Sequence, residues 1–256
     1  MSYTKTNENF WNTQSENADY FTVPISTEEY KKVHLSKEPV VCLTSVKKVP
    51  LNWFPKLDGL KILGLASGGG QQGPVFAACG ADVTIMDLSD RQLESERMVA
   101  AREGYKINIV KADMTEPFPF ESNTFDLIFH PVSNCYIDDI QHVWDECGRV
   151  IKKGGLLLSG FCKEEIFMFE FDWDRSPAIV VKHPLPFNPL KVFTPAELDE
   201  KAINTESLVF SHSLEEQIGG QIKAGFNIID IYEDKDDGGV FARYMNSYVA
   251  TCAVKQ

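Results

Sequence analysis

Between residues 61 and 160 the chain alternates short apolar runs with segments of helical periodicity. KILGL (61–65), DVTIMD (82–87), INIVKAD (107–113), FDLIFH (125–130) and GLLLSG (155–160) predict strands. Runs this continuously apolar fit a parallel sheet covered on both faces, and strands alternating with helices are the signature of βαβ units. Ser89, with Gln92 three residues on, predicts a capping box for a helix to about Arg102. Ile140, Val143, Trp144, Cys147 and Ile151 share one helical face and predict a helix over 138–151. Gly154 and Gly155 are expected to end it.

After residue 160 the alternation breaks. In FMFEFDWD (167–174), a strand would place Phe167, Phe169, Phe171 and Trp173 on one face and Glu170, Asp172 and Asp174 on the other. This row is read as either a lid or core packing. Prolines follow at 177, 184, 186 and 189, and Thr194-Pro195-Ala196-Glu197 reads as a helix start. Ser213 and Glu216 predict a capping box for a helix reaching Ala224, stopped by Gly225. FNIIDIY (226–232) and NSYVATCAV (246–254) are joined by a polar loop without a crossover helix, which predicts an antiparallel pair. Residues 1–55 read as an N-terminal helical cap. Residues 56–256 read as one α/β domain with a lid-like insert at about 160–212.

Composition narrows the partners. With 256 residues, 43% hydrophobic and 24% charged, the chain is long enough for one large folded domain and too apolar to be disordered. No run approaches the ~20 apolar residues of a membrane span, and the polar first residues lack the apolar core of an export signal. A net charge of −12 argues against nucleic acid, whose phosphates need clustered Lys and Arg. The six cysteines have no zinc-site spacing, so no metal is expected. The location expected is the reducing cytoplasm.

The chemistry concentrates in GLASGGGQQG (64–73), between the first strand and the next helix. A glycine bend there lets a ligand approach the backbone at a helix N-terminus. Gly68, Gly70 and Gly73 satisfy G-x-G-x-x-G, and Asp87 ends the second strand 19 residues after Gly68. An acid at that place accepts hydrogen bonds from ribose hydroxyls, which fits a nicotinamide dinucleotide as well as an adenosyl cofactor. Asp113 with Met114 at the end of the third strand, CGRVIKKGGLLLSG (147–160) and the terminal hairpin favour the adenosyl cofactor.

Together these features resemble the class I S-adenosylmethionine-dependent methyltransferases. LASGGGQQG, HPVSNCY (130–136), EEQIGGQIKAGF (215–226) and YVATCAVK look like a narrower bacterial group of methyltransferase-domain proteins. The resemblance implies a Rossmann-like, doubly wound, seven-stranded sheet, mostly parallel, in the order 3-2-1-4-5-7-6 with strand 7 antiparallel. It implies that the cofactor S-adenosylmethionine is held at the bend by Ala66, Ser67, Gly68, Gly70, Gln71 and Gln72. Asp87, Leu88 and Gln92 follow from the second strand, Asp113 and Met114 from the third, and His130, Pro131 and Val132 from the fourth. The general pattern has an acid where Gly64 stands and a glycine where Ala66 stands. Gly64 offers nothing to the donor's ammonium group, and Ser67, Gln71 and Gln72 are the expected substitutes.

His130, at the end of the fourth strand, is the expected general base, or else a residue that only shapes the pocket. Asn134 and Tyr136 either face the substrate or cap the next helix, and Trp11 and Tyr20 either close over the cofactor or pack. PVSN is not the Asn-Pro-Pro-Tyr pattern of enzymes that methylate nucleic-acid amino groups. His34, His142, His183 and His212 lack partner spacing and read as surface or structural. The expected function is methyl transfer to a small molecule by a monomer or weak homodimer, away from nucleic acid and membranes. A nicotinamide-dependent oxidoreductase is the second reading, weakened by the lack of a Tyr-x-x-x-Lys constellation. A cofactor-binding regulatory protein without turnover is the third.

Overall fold

The computed structural model describes residues 2–169 and 179–256. Its sheet is built from β1 (Lys61–Leu65), β2 (Asp82–Asp87), β3 (Asn108–Lys111), β4 (Phe125–His130), β5 (Ile151–Cys162), β6 (Phe226–Asp234) and β7 (Tyr248–Lys255). The strands lie in the order β3-β2-β1-β4-β5-β7-β6. The first five are mutually parallel, and β7 runs antiparallel to both β5 and β6. This is the predicted order and direction.

The twofold periodicity of the strands feeds two cores. Ile62 of β1 and Leu127 and Phe129 of β4 meet Val75 and Phe76 of α3 (Gln72–Ala78) and Leu93 of α4 (Asp90–Glu103). Leu63, Leu65 and Ile128 face the opposite side, against Val143, Trp144 and Cys147 of α5 (Ile140–Val150). Burial on both faces explains why these strands lack a polar side in the sequence. Asp139 caps α5 by accepting from the Gln141 and His142 amides. In α4, Ser89 accepts from the Gln92 amide, but Gln92 Oε1 is buried without a partner among the described residues. Only half of the expected capping box forms.

Two local readings are corrected, and a third, the Ser213–Glu216 helix that ends at Ala224 and Gly225, gains an unexpected turn. Gly154 and Gly155 do not end α5. The helix stops at Val150, and β5 begins at once, with a register irregularity opposite Phe125 and Leu127 that accommodates Gly154 at φ +77°. Ser213 and Glu216 make both capping contacts, yet Glu215–Gly219 form a π-helical turn before α8 (Gly220–Lys223). There the Glu216 carbonyl accepts from Trp144 Nε1, and a Cβ on Gly220 would stand 2.5 Å from the same ring. The turn is shaped by the Trp144 indole. The aromatic row does not begin as a strand: Glu164–Met168 form a 3₁₀ helix, and Phe169 makes a single bridge to Val181. Adjacent Ile166 and Phe167 are both buried, which an alternating strand would not allow. Residues 170–178 of that row lie outside the described residues.

The insert continues with α6 (Pro189–Val192) and α7 (Pro195–Ile203), the latter opened by the full Thr194–Glu197 capping box. Cys135, Ile166, Phe167 and Phe187 form a small apolar cluster of their own under it. The N-terminal segment contributes α1 (Tyr3–Glu16) and α2 (Thr27–Ser36). No helix among the described residues is long and apolar enough to cross a membrane.

Candidate active site

The strand order reverses between β1 and β4, and in an open α/β sheet the crevice at the carboxyl ends beside that point is where ligands sit. A cavity of about 1070 Å³ opens there. One end is bounded by the turns after β1, β2 and β3, the other by the insert, and α1 passes along both.

The turn after β1 is strained. Ala66 is at φ +47°, Gly69 at +104° and Gly70 at +71°; a Cβ-bearing residue pays a cost of roughly 1 kcal/mol in this region. Three consecutive amides hold the turn down. Gly68 N–H donates to Asp87 Oδ2 (2.9 Å), Gly69 N–H to the Gln92 carbonyl (3.0 Å) and Gly70 N–H to Glu96 Oε1 (2.8 Å). A dinucleotide's pyrophosphate is recognised by free amides at this place, and here the amides are spent inside the protein. Those three amides are not available to a pyrophosphate, whereas α3 beyond them opens without a side-chain cap.

Asp87 also accepts from the Ser89 amide at Oδ1 (2.9 Å). Each carboxylate oxygen therefore keeps lone-pair capacity toward the cavity. Burial pushes its pKa up, against the pull of the Ser89, Gly68 and Leu88 amides. Ser67 lines the cavity, and its buried Oγ has no partner among the described residues. A Cβ on Gly64 would stand 2.4 Å from that hydroxyl and 2.5 Å from Ile85, so the missing acid has no room. Asp113 spends Oδ1 on the Thr115 amide and hydroxyl. Ala66, Gln71, Gln72, Leu88, Gln92, Met114, Pro131 and Val132 border the cavity as well. Gly70 lies beneath the wall, its carbonyl accepting from the Ile25 amide (2.8 Å).

His130 is not at the rim. It is fully buried, with Nδ1 3.1 Å from the Leu65 carbonyl and Nε2 2.6 Å from Asn134 Oδ1. Asn134 Nδ2 donates on to Gln217 Oε1 (3.0 Å), and the indole of Trp144 closes edge-on at 5.9 Å. Burial lowers the imidazole pKa, opposed by the Leu65 and Asn134 contacts. Along β4 the side chain shares the face of Ile128, against α5. The base reading is therefore corrected: His130 braces the loop that carries Asn134, Cys135 and Tyr136. His212 is likewise structural, with Nε2 near the Asn134 and Ile137 carbonyls.

At the other end the wall is aromatic. Trp11 meets Tyr136 edge-on at 5.4 Å, and Phe187 meets Phe193 at 6.2 Å. Tyr20 stands exposed at the mouth. The side chains that fasten α1 had no sequence signal. Asn7 Nδ2 donates to the Tyr136 and Leu208 carbonyls, and its Oδ1 accepts from the Leu208 amide. Asn12 Oδ1 accepts from the Ser89 hydroxyl and the Arg91 amide. Glu96 did leave one, since it interrupts the apolar stripe Leu93, Val99, Ala100 of α4.

Residues 63–159 match the family model described as a methyltransferase domain. The chain is 40% identical to "Uncharacterized methyltransferase YbaJ" of Bacillus subtilis (strain 168) over 249 residues, 97% of each chain. The chain belongs to the class I S-adenosylmethionine-dependent methyltransferases. It is also 30% identical over 102 residues to "Sterol 24-C-methyltransferase erg6" of Aspergillus fumigatus, covering 39% of this chain and 27% of that one. In fold it is similar to an S-adenosylmethionine-dependent methyltransferase from Mesorhizobium loti, with a TM-score of 0.58 at 17% identity, over 80% of this chain and 94% of the other. As a methyltransferase it takes S-adenosylmethionine as its methyl donor.

Proposed function

We propose that this methyltransferase acts on a small apolar or aromatic molecule seated under the insert, and that the turns after β1, β2 and β3 hold the donor. The observation that carries the acceptor class is the aromatic wall of Trp11, Tyr136, Phe167, Phe187 and Phe193 at one end of the cavity. Rings offer area and shape to an apolar guest and little to a charged one. The part shared with a sterol enzyme and the net charge of −12 support the same reading. The six free cysteines support a reducing, cytoplasmic location.

The residues present fit the donor. Asp87 has unspent lone pairs for ribose hydroxyls, Asp113 faces the same space for the adenine amino group, and Met114 offers a polarizable surface for its ring. The orphan Ser67 hydroxyl, with Gln71 and Gln72, serves the amino-acid tail in place of the acid that Gly64 lacks. S-adenosylmethionine supplies a methyl group on positively charged sulfur, open to in-line attack. The chain's own contribution is to align the acceptor and exclude water, which accounts for much of the acceleration in such a transfer. Buried, braced His130 takes no proton from the acceptor.

The test is transfer of labelled methyl from the donor into a cell extract, followed by separation by size and solvent partition. Label is expected in small molecules that enter the organic phase. Label confined to protein or nucleic acid would overturn the acceptor class.

A further inference from the structure

Glu96 sits below the glycine bend, outside the cavity wall, and the donor contacts above do not use it. Its side chain is fully buried on α4. Oε1 accepts from Gly70 N–H, at the residue where the bend reaches φ +71°. Oε2 has no hydrogen-bond partner among the described residues and lies 2.7 Å from where a Cβ on Gly73 would stand. One carboxyl thus supports the bend and fills the space that Gly73 leaves at the start of α3. The ionisable groups around it are few. Asp87 faces it from the end of β2, and the buried, unpartnered Tyr105 hydroxyl from the turn after α4. Residues 66–78, which form the bend and α3, contain no ionisable side chain.

We propose that Glu96 is a positioning residue for the methyl donor: through the Gly70 amide it fixes the bend, and it does so in its neutral, protonated form. This rests on the reading that the bend holds the donor. A buried carboxylate with one bare oxygen is costly, and the cost is relieved by a proton or by water entering under the bend. Burial, with the Asp87 charge adding to it and the Gly70 amide opposing it, pushes the Glu96 pKa up to about 8. The folded value lies above the unfolded one. The stability carried by the proton is therefore full below the ordinary carboxyl range, is lost as pH rises from there to about 8, and levels off above it. In the folded protein the proton leaves only around pH 8, so the bend should loosen and donor affinity fall there.

The experiment measures affinity for S-adenosylhomocysteine by calorimetry, and the melting temperature of the protein alone, at pH 6.5 and 9.0. The proteins are wild type, Glu96→Gln, Glu96→Ala and Asp87→Ala. Glu96→Gln keeps the acceptor for Gly70 and cannot ionise. It should bind like wild type at pH 6.5 and about fivefold more tightly at pH 9.0, and it should melt higher than wild type at both, by the larger margin at pH 9.0. Glu96→Ala should bind about tenfold more weakly at both pH values. Parallel wild-type and Glu96→Gln profiles, or unchanged affinity in Glu96→Ala, would overturn the role. Asp87→Ala separates the two levels. Its loss of binding while both Glu96 variants track wild type sinks Glu96 alone, and its unchanged binding sinks the donor site and Glu96 together.

Discussion

The two ends of the cavity are made in different ways. The donor end is sheet and backbone: strand ends, a strained turn and three amides tied to β2 and α4. The acceptor end is side chains: rings from α1, the loop after β4 and the insert, gathered around a small separate apolar cluster. A bend held by consecutive backbone bonds tolerates little change, because each bond fixes its neighbours. A wall of rings repacks one residue at a time. On the proposed assignment, the donor site belongs to the fold and the acceptor site to its decoration.

The comparison breaks most sharply at Gly70. Its positive φ and the 2.9 Å approach of a Cβ to Val99 predict that Gly70→Ala weakens S-adenosylhomocysteine binding by more than about 30-fold and destabilises the fold by about 2 kcal/mol. Calorimetry and denaturant unfolding measure the two effects. Phe193→Ala, at the other end, should raise the acceptor KM about tenfold while leaving the donor Kd within about twofold. Equal effects on both ligands would dissolve the distinction between the ends. His130→Gln should reduce kcat only by about two- to threefold at pH 7, since no proton passes through the ring. Because burial lowers the His130 pKa, wild type should lose stability as pH falls below the ordinary imidazole range, and the variant should lose less. A pH–rate profile and melts at pH 5 and 7 check this.

Legibility followed the same division. KILGL, the glycine bend and the acidic strand ends carry backbone requirements, and backbone requirements restrict residue type. The strand order, the antiparallel β7 and the lining positions after β1 and β2 were therefore readable. His130 was misplaced because the end of a strand fixes depth along the sheet and leaves open which face meets the cavity. Its companion Ile128 had already joined the α5 side. The aromatic row suggested a strand because its rings alternate, but its first residues, Phe167 and Met168, belong to a 3₁₀ helix that the alternation does not reveal. The π-turn at Glu215–Gly219 was hidden because it answers to the Trp144 indole, some seventy residues away in the sequence. Glu96 was visible as a flaw in an apolar stripe, and only the structure gives that flaw a partner.

Asn7 clasps the backbone at Leu208, 201 positions further along the chain. Such a distant clasp cannot form while the protein is still being synthesised past its first five strands. A nascent chain halted before that point could already pack Phe10 and Trp11 on Tyr136, but it would hold α1 without its clasp on Leu208. The chamber's wall is thus assembled from segments some two hundred positions apart, and such long-range closure is slow to form.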